Sequence, residues 1–193
     1  MSLTPLSHAQ DNPSPAKPSE FQKFYVYKDK PSPLNHYVAS GYMPDGKCVD
    51  INDAWVDNCQ DSRSCIQVKF DRNCSSNDTG WAGAYWLDPP NNWGDTKGGY
   101  DLTGAHKLVF GARGENGGEV VKFKIGGVGV GHRYFDSDTA ATDTVTLTKD
   151  WQEYSIDLTG KDLSRIIGGF AWVITASENR SNVTFYVRDI YYI

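Results

Sequence analysis

The sequence predicts an all-β fold in which two antiparallel sheets pack as a sandwich, and three observations carry that expectation. Good helix formers are scarce, with 5 Glu and 2 Met beside 19 Gly and 11 Tyr in 193 residues. Short apolar/polar alternations recur along the chain, each ending at a turn of Gly, Asn, Asp or Pro. The length and a hydrophobic share of 39% suit one domain with one core.

Residues 1–20 carry four prolines and no apolar periodicity, and they predict a disordered Pro/Ser-rich tether ahead of a single sandwich domain over 21–193. FYVY at 24–27 is a compact strand, ended by KDKPSP. SCIQVKFD at 64–71 alternates, with Ile66, Val68 and Phe70 toward the core. AGAYW at 82–86 is a third strand, and HKLVFGARG at 106–114 sets Leu108, Phe110 and Ala112 against Val109, Gly111 and Arg113. EVVKFKIGG at 119–127 sends Val121, Phe123 and Ile125 inward. DTVTLT, WQEYSIDL, GGFAWVI and VTFYVRDIYYI complete nine strands, Tyr154, Ile156 and Phe185 joining the core. KDLSRII at 161–167 is the one helical turn, expected to serve as a corner.

All four cysteines, Cys48, Cys59, Cys65 and Cys74, fall within one stretch. No C-x-x-C pair or neighbouring ligand histidine supports zinc, so two disulfides in an oxidising compartment are expected. Three pairings are possible; the preferred one closes Cys59–Cys65 around QDSRS and ties the flanks through Cys48–Cys74. No hydrophobic export signal precedes the tether. The disulfides nevertheless predict a secreted, periplasmic or cell-surface protein, tethered to a larger exported chain or surface. A formal net charge of −5 without a basic cluster argues against nucleic acid. No apolar run reaches the roughly 20 residues of a membrane helix.

Three of the six tryptophans lie in GWAGAYWLDPPNNWGDTKGG, residues 80–99. Such a loop can close on itself as a private small core, or present flat rings to a sugar, whose C–H faces stack on indole while amides bond its hydroxyls. Period two puts Trp81 and Tyr85 on one side of the strand and Trp86 on the other. The expected ligand-side set is Trp86 and Trp93 with Tyr85, Asn91 and Asn92. Arg113 reaches out of its strand toward hydroxyls or uronate carboxylates, and His132 and Tyr134 overhang from a glycine-rich loop. Trp151 and Trp172 sit inside patterned strands and predict core, while Trp55 stands between core and exposed.

The C-terminal third, WQEYSIDL followed by TGKDLSRIIGGFAWVI and TFYVRDIYY, resembles the end of jelly-roll carbohydrate-binding modules attached to polysaccharide-degrading enzymes. The block WAGAYWLDPPNNWGDTKGG and the strands after it are similar to galactose-binding-like sandwiches of bacterial secreted or surface proteins. The resemblance covers about 24–193. It implies a jelly roll, a polysaccharide or oligosaccharide partner, and aromatic and polar contacts on a concave sheet face. It also implies structural calcium near the first and last strands, with Asp29, Asn35 and Asp189 as matching ligands. Arg188 stands where the family carries an acid, so an ion pair in place of the metal remains the alternative.

Catalysis finds little support. Glu115 and Glu119 flank a Gly-Gly turn and read as solvated hairpin residues rather than facing carboxyls. A lyase would need His132, Tyr134, Arg113 and Asn92 brought together. The expected function is non-catalytic glycan recognition; the alternatives are a protein-binding adhesion module and a jelly-roll lyase or glycosidase.

Overall fold

The computed structural model describes residues 21–74 and 80–193, so the expected tether lies outside the described residues. Twelve strands form among the described residues: β1 (Phe24–Tyr27), β2 (Val38–Met43), β3 (Val49–Trp55), β4 (Cys65–Phe70), β5 (Trp81–Leu87) and β6 (Lys107–Gly114), then β7 (Val120–Gly126), β8 (Thr139–Ala141), β9 (Val145–Thr146), β10 (Gln152–Asp157), β11 (Gly168–Thr175) and β12 (Val183–Tyr192). They build two six-stranded sheets, each with antiparallel pairing. The first runs β10-β6-β12-β4-β3, with β1 on β12; the second runs β2-β5-β11-β7-β8, with β9 on β7.

The expected core forms between the sheets. Ile66, Val68, Phe70, Leu108, Phe110 and Phe123 are at most 1% exposed, and Tyr154 packs half-buried against them. Phe110 links the layers, 4.6 Å from Phe123 and 5.3 Å from Phe170 between ring centroids. Trp172 is fully buried, as its strand pattern predicts.

Three strands, β2, β3 and β8, exceed the nine expected from sequence. Gly41 and Ser40 interrupt β2, which pairs with β5 only through a register shift between Ala39 and Gly41. Asp and Asn, poor strand formers, fill alternate positions of β3 and disguise it. KDLSRII forms no helical turn. It is a corner in which Leu163 and Ile166 are buried and Ile166 bridges Tyr100. Glu119 is not solvated either: it is 7% exposed, and its Oε1 accepts the Asn116 N–H at 2.8 Å.

Both preferred disulfides are present. Cys48–Cys74 ties the start of β3 to the residues after β4, and Cys59–Cys65 closes the loop between those strands.

Candidate functional site

Alternation decides which rings a ligand could reach. In β5, Ala82, Ala84 and Trp86 point between the sheets, and Trp86 is 2% exposed with its ring edge-on to Phe170 at 5.3 Å. A ligand-side Trp86 is therefore overturned: the ring fills the space between layers, where no sugar reaches it. Tyr85 and Leu87 leave the opposite side of β5, but loops cover them.

That cover is a second, smaller core of Tyr85, Leu87, Val128, Ile167 and Ala171, joined by half-buried Trp93 and Tyr134. Trp93 meets Tyr85 edge to face at 5.9 Å, and the Tyr85 hydroxyl donates to the Gly126 carbonyl at 2.9 Å. Asn92, 3% exposed, folds its own loop: its Nδ2 donates to the Thr96 carbonyl at 2.9 Å, and its Oδ1 accepts the Gly94 N–H at 3.0 Å. Asn91 is exposed and donates its backbone N–H to Ser40 Oγ, and His132 pairs with Asp95 at 3.0 Å. The two loops touch backbone to backbone, since a Cβ at either Gly94 or Gly129 would come within 2.3 Å of the Tyr134 carbonyl oxygen. Asp136 closes the arrangement from below. Its carboxylate accepts backbone N–H groups of Val128 at 2.8 Å, Gly168 at 3.3 Å, and Ile167. Burial pushes that carboxyl above its ordinary pKa, against the lowering effect of those donors. Of the two uses open to the aromatic loop, the structure takes the private core.

Arg113 belongs to the opposite side of the molecule, so the expected ligand set is split between two outer faces. The lyase constellation is split by the same division. What surrounds Arg113 is a different group of rings, on the outer face of the first sheet. Register places Tyr186 beside Arg113, Arg188 beside Gly111 and Tyr191 beside Val109, with Tyr25 beyond Tyr191. Strict alternation would turn Tyr191 away from Tyr186 and Arg188. A register shift between Arg188 and Tyr191, with Asp189 in left-handed backbone at φ 46°, returns it to their side. Trp151, just before β10, and Trp55, at the end of β3, complete the row; both are half-buried.

The guanidinium groups lie among these rings. The Arg113 carbon sits 3.8 Å from the Tyr186 centroid and 5.5 Å from that of Trp151, while Arg188 lies 5.0 Å from Trp151. Arg113 is 6% exposed, bonds the Gly114 carbonyl at 3.2 Å and pairs with Glu115 at 3.7 Å. The Nε atoms of both arginines are buried without a hydrogen-bond partner among the described residues. Gly111 is the floor over which Arg188 runs, for a Cβ there would stand 3.0 Å from its Cγ. The Tyr186 hydroxyl donates to Glu115 at 2.7 Å and accepts from Gln67 at 3.1 Å; burial, then the Glu115 bond, raises its pKa.

The loop closed by Cys59–Cys65 forms the rim. Asn58 accepts the Trp151 indole N–H at 2.8 Å, Asp57 accepts that of Trp55 at 2.9 Å, and Gln60 accepts from Arg188. Two hollows result. One, of about 280 Å³, lies among Tyr25, Tyr191, Trp151, Glu153 and Arg188. The other, of about 330 Å³, lies among Trp55, Asn58, Arg113, Glu115 and Tyr186. The expected core role of Trp151 is corrected by this placement. The signal was available: in WQEYSIDL, Trp151 shares its parity with Glu153 and Ser155, not with Tyr154 and Ile156.

The expected calcium ligands meet only in part. Asp29 and Asp189 line one hollow with Asp61 and Ser62, and Asp29 Oδ1 is buried without a hydrogen-bond partner among the described residues. Asn35 is committed elsewhere: its Oδ1 accepts the Lys28 N–H at 2.8 Å and its Nδ2 donates to the Asp29 carbonyl at 2.8 Å. Asp189 accepts from Ser62 at 2.6 Å and pairs with Arg188 at 3.4 Å. No convergent group of three His, Cys, Asp or Glu side chains occurs among the described residues.

No family model matches the chain, and no curated protein matches it. Solved structures do. A family 30 carbohydrate-binding module superposes with a TM-score of 0.56 at 16% identity, covering 89% of this chain and 98% of that one. The family 30 module of a cellulosomal cellulase of Clostridium thermocellum gives 0.54 at 18% identity, over 89% of this chain and 97% of that one. A family 29 module, a variant made to probe ligand recognition, gives 0.51 at 9% identity, over 89% of this chain and 91% of that one. At these identities the likeness is one of fold: the chain has the jelly-roll sandwich of carbohydrate-binding modules.

Proposed function

We propose that this protein is a non-catalytic carbohydrate-binding module whose ligand lies along the outer face of the first sheet. One observation carries the reading: Tyr25, Tyr191, Trp151 and Trp55 are half-buried on that face beside two arginines, over a Tyr186 buried beneath them and the Cys59–Cys65 loop, whereas most rings outside the second sheet are packed under loops. Pyranose rings offer C–H faces to the half-buried indoles, and Glu153, Glu115, Asn58 and Arg188 surround the hollows with groups for hydroxyls. The likeness of fold to carbohydrate-binding modules supports the same ligand class. Two disulfides support an extracellular setting.

Calcium belongs to the reading as a structural ion held by Asp29 and Asp189, supplying positive charge to two neighbouring carboxylates. Affinity electrophoresis through a panel of soluble polysaccharides tests the whole proposal. Trp151→Ala and Trp55→Ala should each weaken binding by about 1–3 kcal/mol, judged from the burial of a large ring, with the fold retained. Trp93→Ala should bind normally and melt earlier. Loss of binding in Trp93→Ala with retention in Trp151→Ala would transfer the site to the other face. A melting temperature unchanged by chelator would remove the calcium.

A further inference from the structure

The turn between β11 and β12, with the first two residues of β12, reads Glu-Asn-Arg-Ser-Asn-Val-Thr over 178–184, two adjoining N-x-Ser/Thr triplets that begin at Asn179 and Asn182. Such a triplet pairs an amide nitrogen with a hydroxyl two residues on, the combination that N-glycosyl transfer requires in an exported chain. The folded structure separates the two asparagines completely.

Asn179 is 5% exposed and fully engaged. Its Nδ2 donates to the Val120 carbonyl at 2.9 Å and the Thr175 carbonyl at 3.0 Å, and its Oδ1 accepts the Val120 N–H at 2.9 Å. A sugar on that nitrogen would remove one donor and push into the β7 edge. Asn182 is exposed. Its Oδ1 accepts the Arg72 N–H at 3.2 Å, while its Nδ2 makes no hydrogen bond among the described residues. Glycosylation there keeps the acceptor and uses only the idle nitrogen. The two disulfides suit the oxidising compartments through which exported chains pass, the one where such transfer occurs among them.

We infer that Asn182 is an N-glycosylation site and that Asn179, beside it, is not. The transfer joins Asn182 Nδ2 to the anomeric carbon of an oligosaccharide carried as a lipid-linked diphosphate. The anomeric C–O bond to the diphosphate breaks, the lipid diphosphate departs, and the displaced amide proton passes to solvent. Asn182 precedes Arg188 by six residues, roughly 20 Å along the strand, so the attached glycan borders the open face at its far end without covering the hollow beside Arg188. Two further triplets begin at Asn73 and Asn77; they run through residues 75–79, which lie outside the described residues, and carry no part of this inference.

The test is secretion of the full chain from a eukaryotic host, then enzymatic deglycosylation in heavy-oxygen water and peptide mass spectrometry. Tryptic cleavage after Arg180 puts the two asparagines on different peptides. The expected result is isotope label at Asn182 and none at Asn179. Asn182→Gln and Thr184→Ala should each abolish the label. Thr184→Ala keeps the Asn182–Arg72 bond, so its secretion at a normal melting temperature separates lost acceptance from misfolding. An unlabelled Asn182 in the secreted wild type, a labelled Asn179, or label persisting at Asn182 in Thr184→Ala would each overturn the inference.

Discussion

Arg113 lies between Tyr186 and Trp151 with 6% of its surface exposed, although it leaves the core-facing side of its strand. A planar guanidinium can be buried in this way because its faces stack on rings while its edges bond the Gly114 carbonyl and Glu115. Alternation made the direction of Arg113 legible in the sequence, but not its burial, which depends on rings from β12 and the residue before β10. Asp136 shows the opposite case, a charged residue in a loop whose carboxylate is used entirely by backbone donors. Its pKa is raised by burial, so the folded protein binds a proton at pH values where the unfolded chain has lost it. The stability linked to Asp136 is therefore full below the ordinary carboxylate pKa and falls as pH rises through the raised value. Asp136→Asn should remove that slope from a denaturation series across acidic pH. Above that raised value, where the carboxylate is ionised, it should also cost about 1–3 kcal/mol, because an amide NH2 would face a backbone N–H.

Among elements, the loop between β3 and β4 matters most to the face, because its residues hold Trp151, Trp55, Arg188 and Asp189 at once. Cys59–Cys65 closes that loop, whereas Cys48–Cys74 braces the other end of the same two strands. Replacing Cys59 and Cys65 by Ser should weaken polysaccharide binding more than its loss of stability accounts for, a loss of about 2–3 kcal/mol for so short a loop. Replacing Cys48 and Cys74 should lower the denaturation midpoint and leave the affinity of the folded fraction unchanged. Comparing both double variants by denaturation and affinity electrophoresis checks the contrast. Strands with clean alternation, β4, β6 and β7 above all, could be read directly from their residues. Strands β2 and β3 could not, because Gly, Ser, Asp and Asn occupy positions where only backbone pairing to an established neighbour holds the chain extended.

At the scale of the molecule, the sandwich has one outer face closed by loops and one that the loop between β3 and β4 covers only in part, and this difference was the least legible part of the site. Period two says which residues leave a strand on the outer side. It does not say how far a distant loop will cover either outer side: Tyr85 is buried under residues 127–137 and Tyr186 under the Cys59–Cys65 loop, while Trp151 stays half-buried. The densest aromatic segment consequently drew attention to the closed face. The rings of the open face are scattered over β1, β3, β12 and the approach to β10, so no single stretch of sequence displays them together.

The irregularity at Asp189 has a consequence for how this chain tolerates insertions and deletions. From Arg188 to Tyr191, β12 uses three steps where β6 uses two, from Gly111 to Val109. One residue is therefore surplus to the pairing. Removing Asp189 brings the two strands into equal count and leaves Ile190 and Tyr192 in the core and Tyr191 beside Tyr25. Removing Val187 instead would turn Arg188, the one residue between the cut and the bulge, into the core position that Val187 leaves. The Asp189 deletion should thus fold and keep its polysaccharide affinity, losing the contacts to Ser62 and Arg188 and one of the two carboxylates proposed to hold calcium, whereas the Val187 deletion should not accumulate as soluble protein. Near its C-terminus, the strand at the middle of the first sheet carries a spare residue, a place where a lineage can gain or lose one amino acid without exchanging the inside of the protein for its outside.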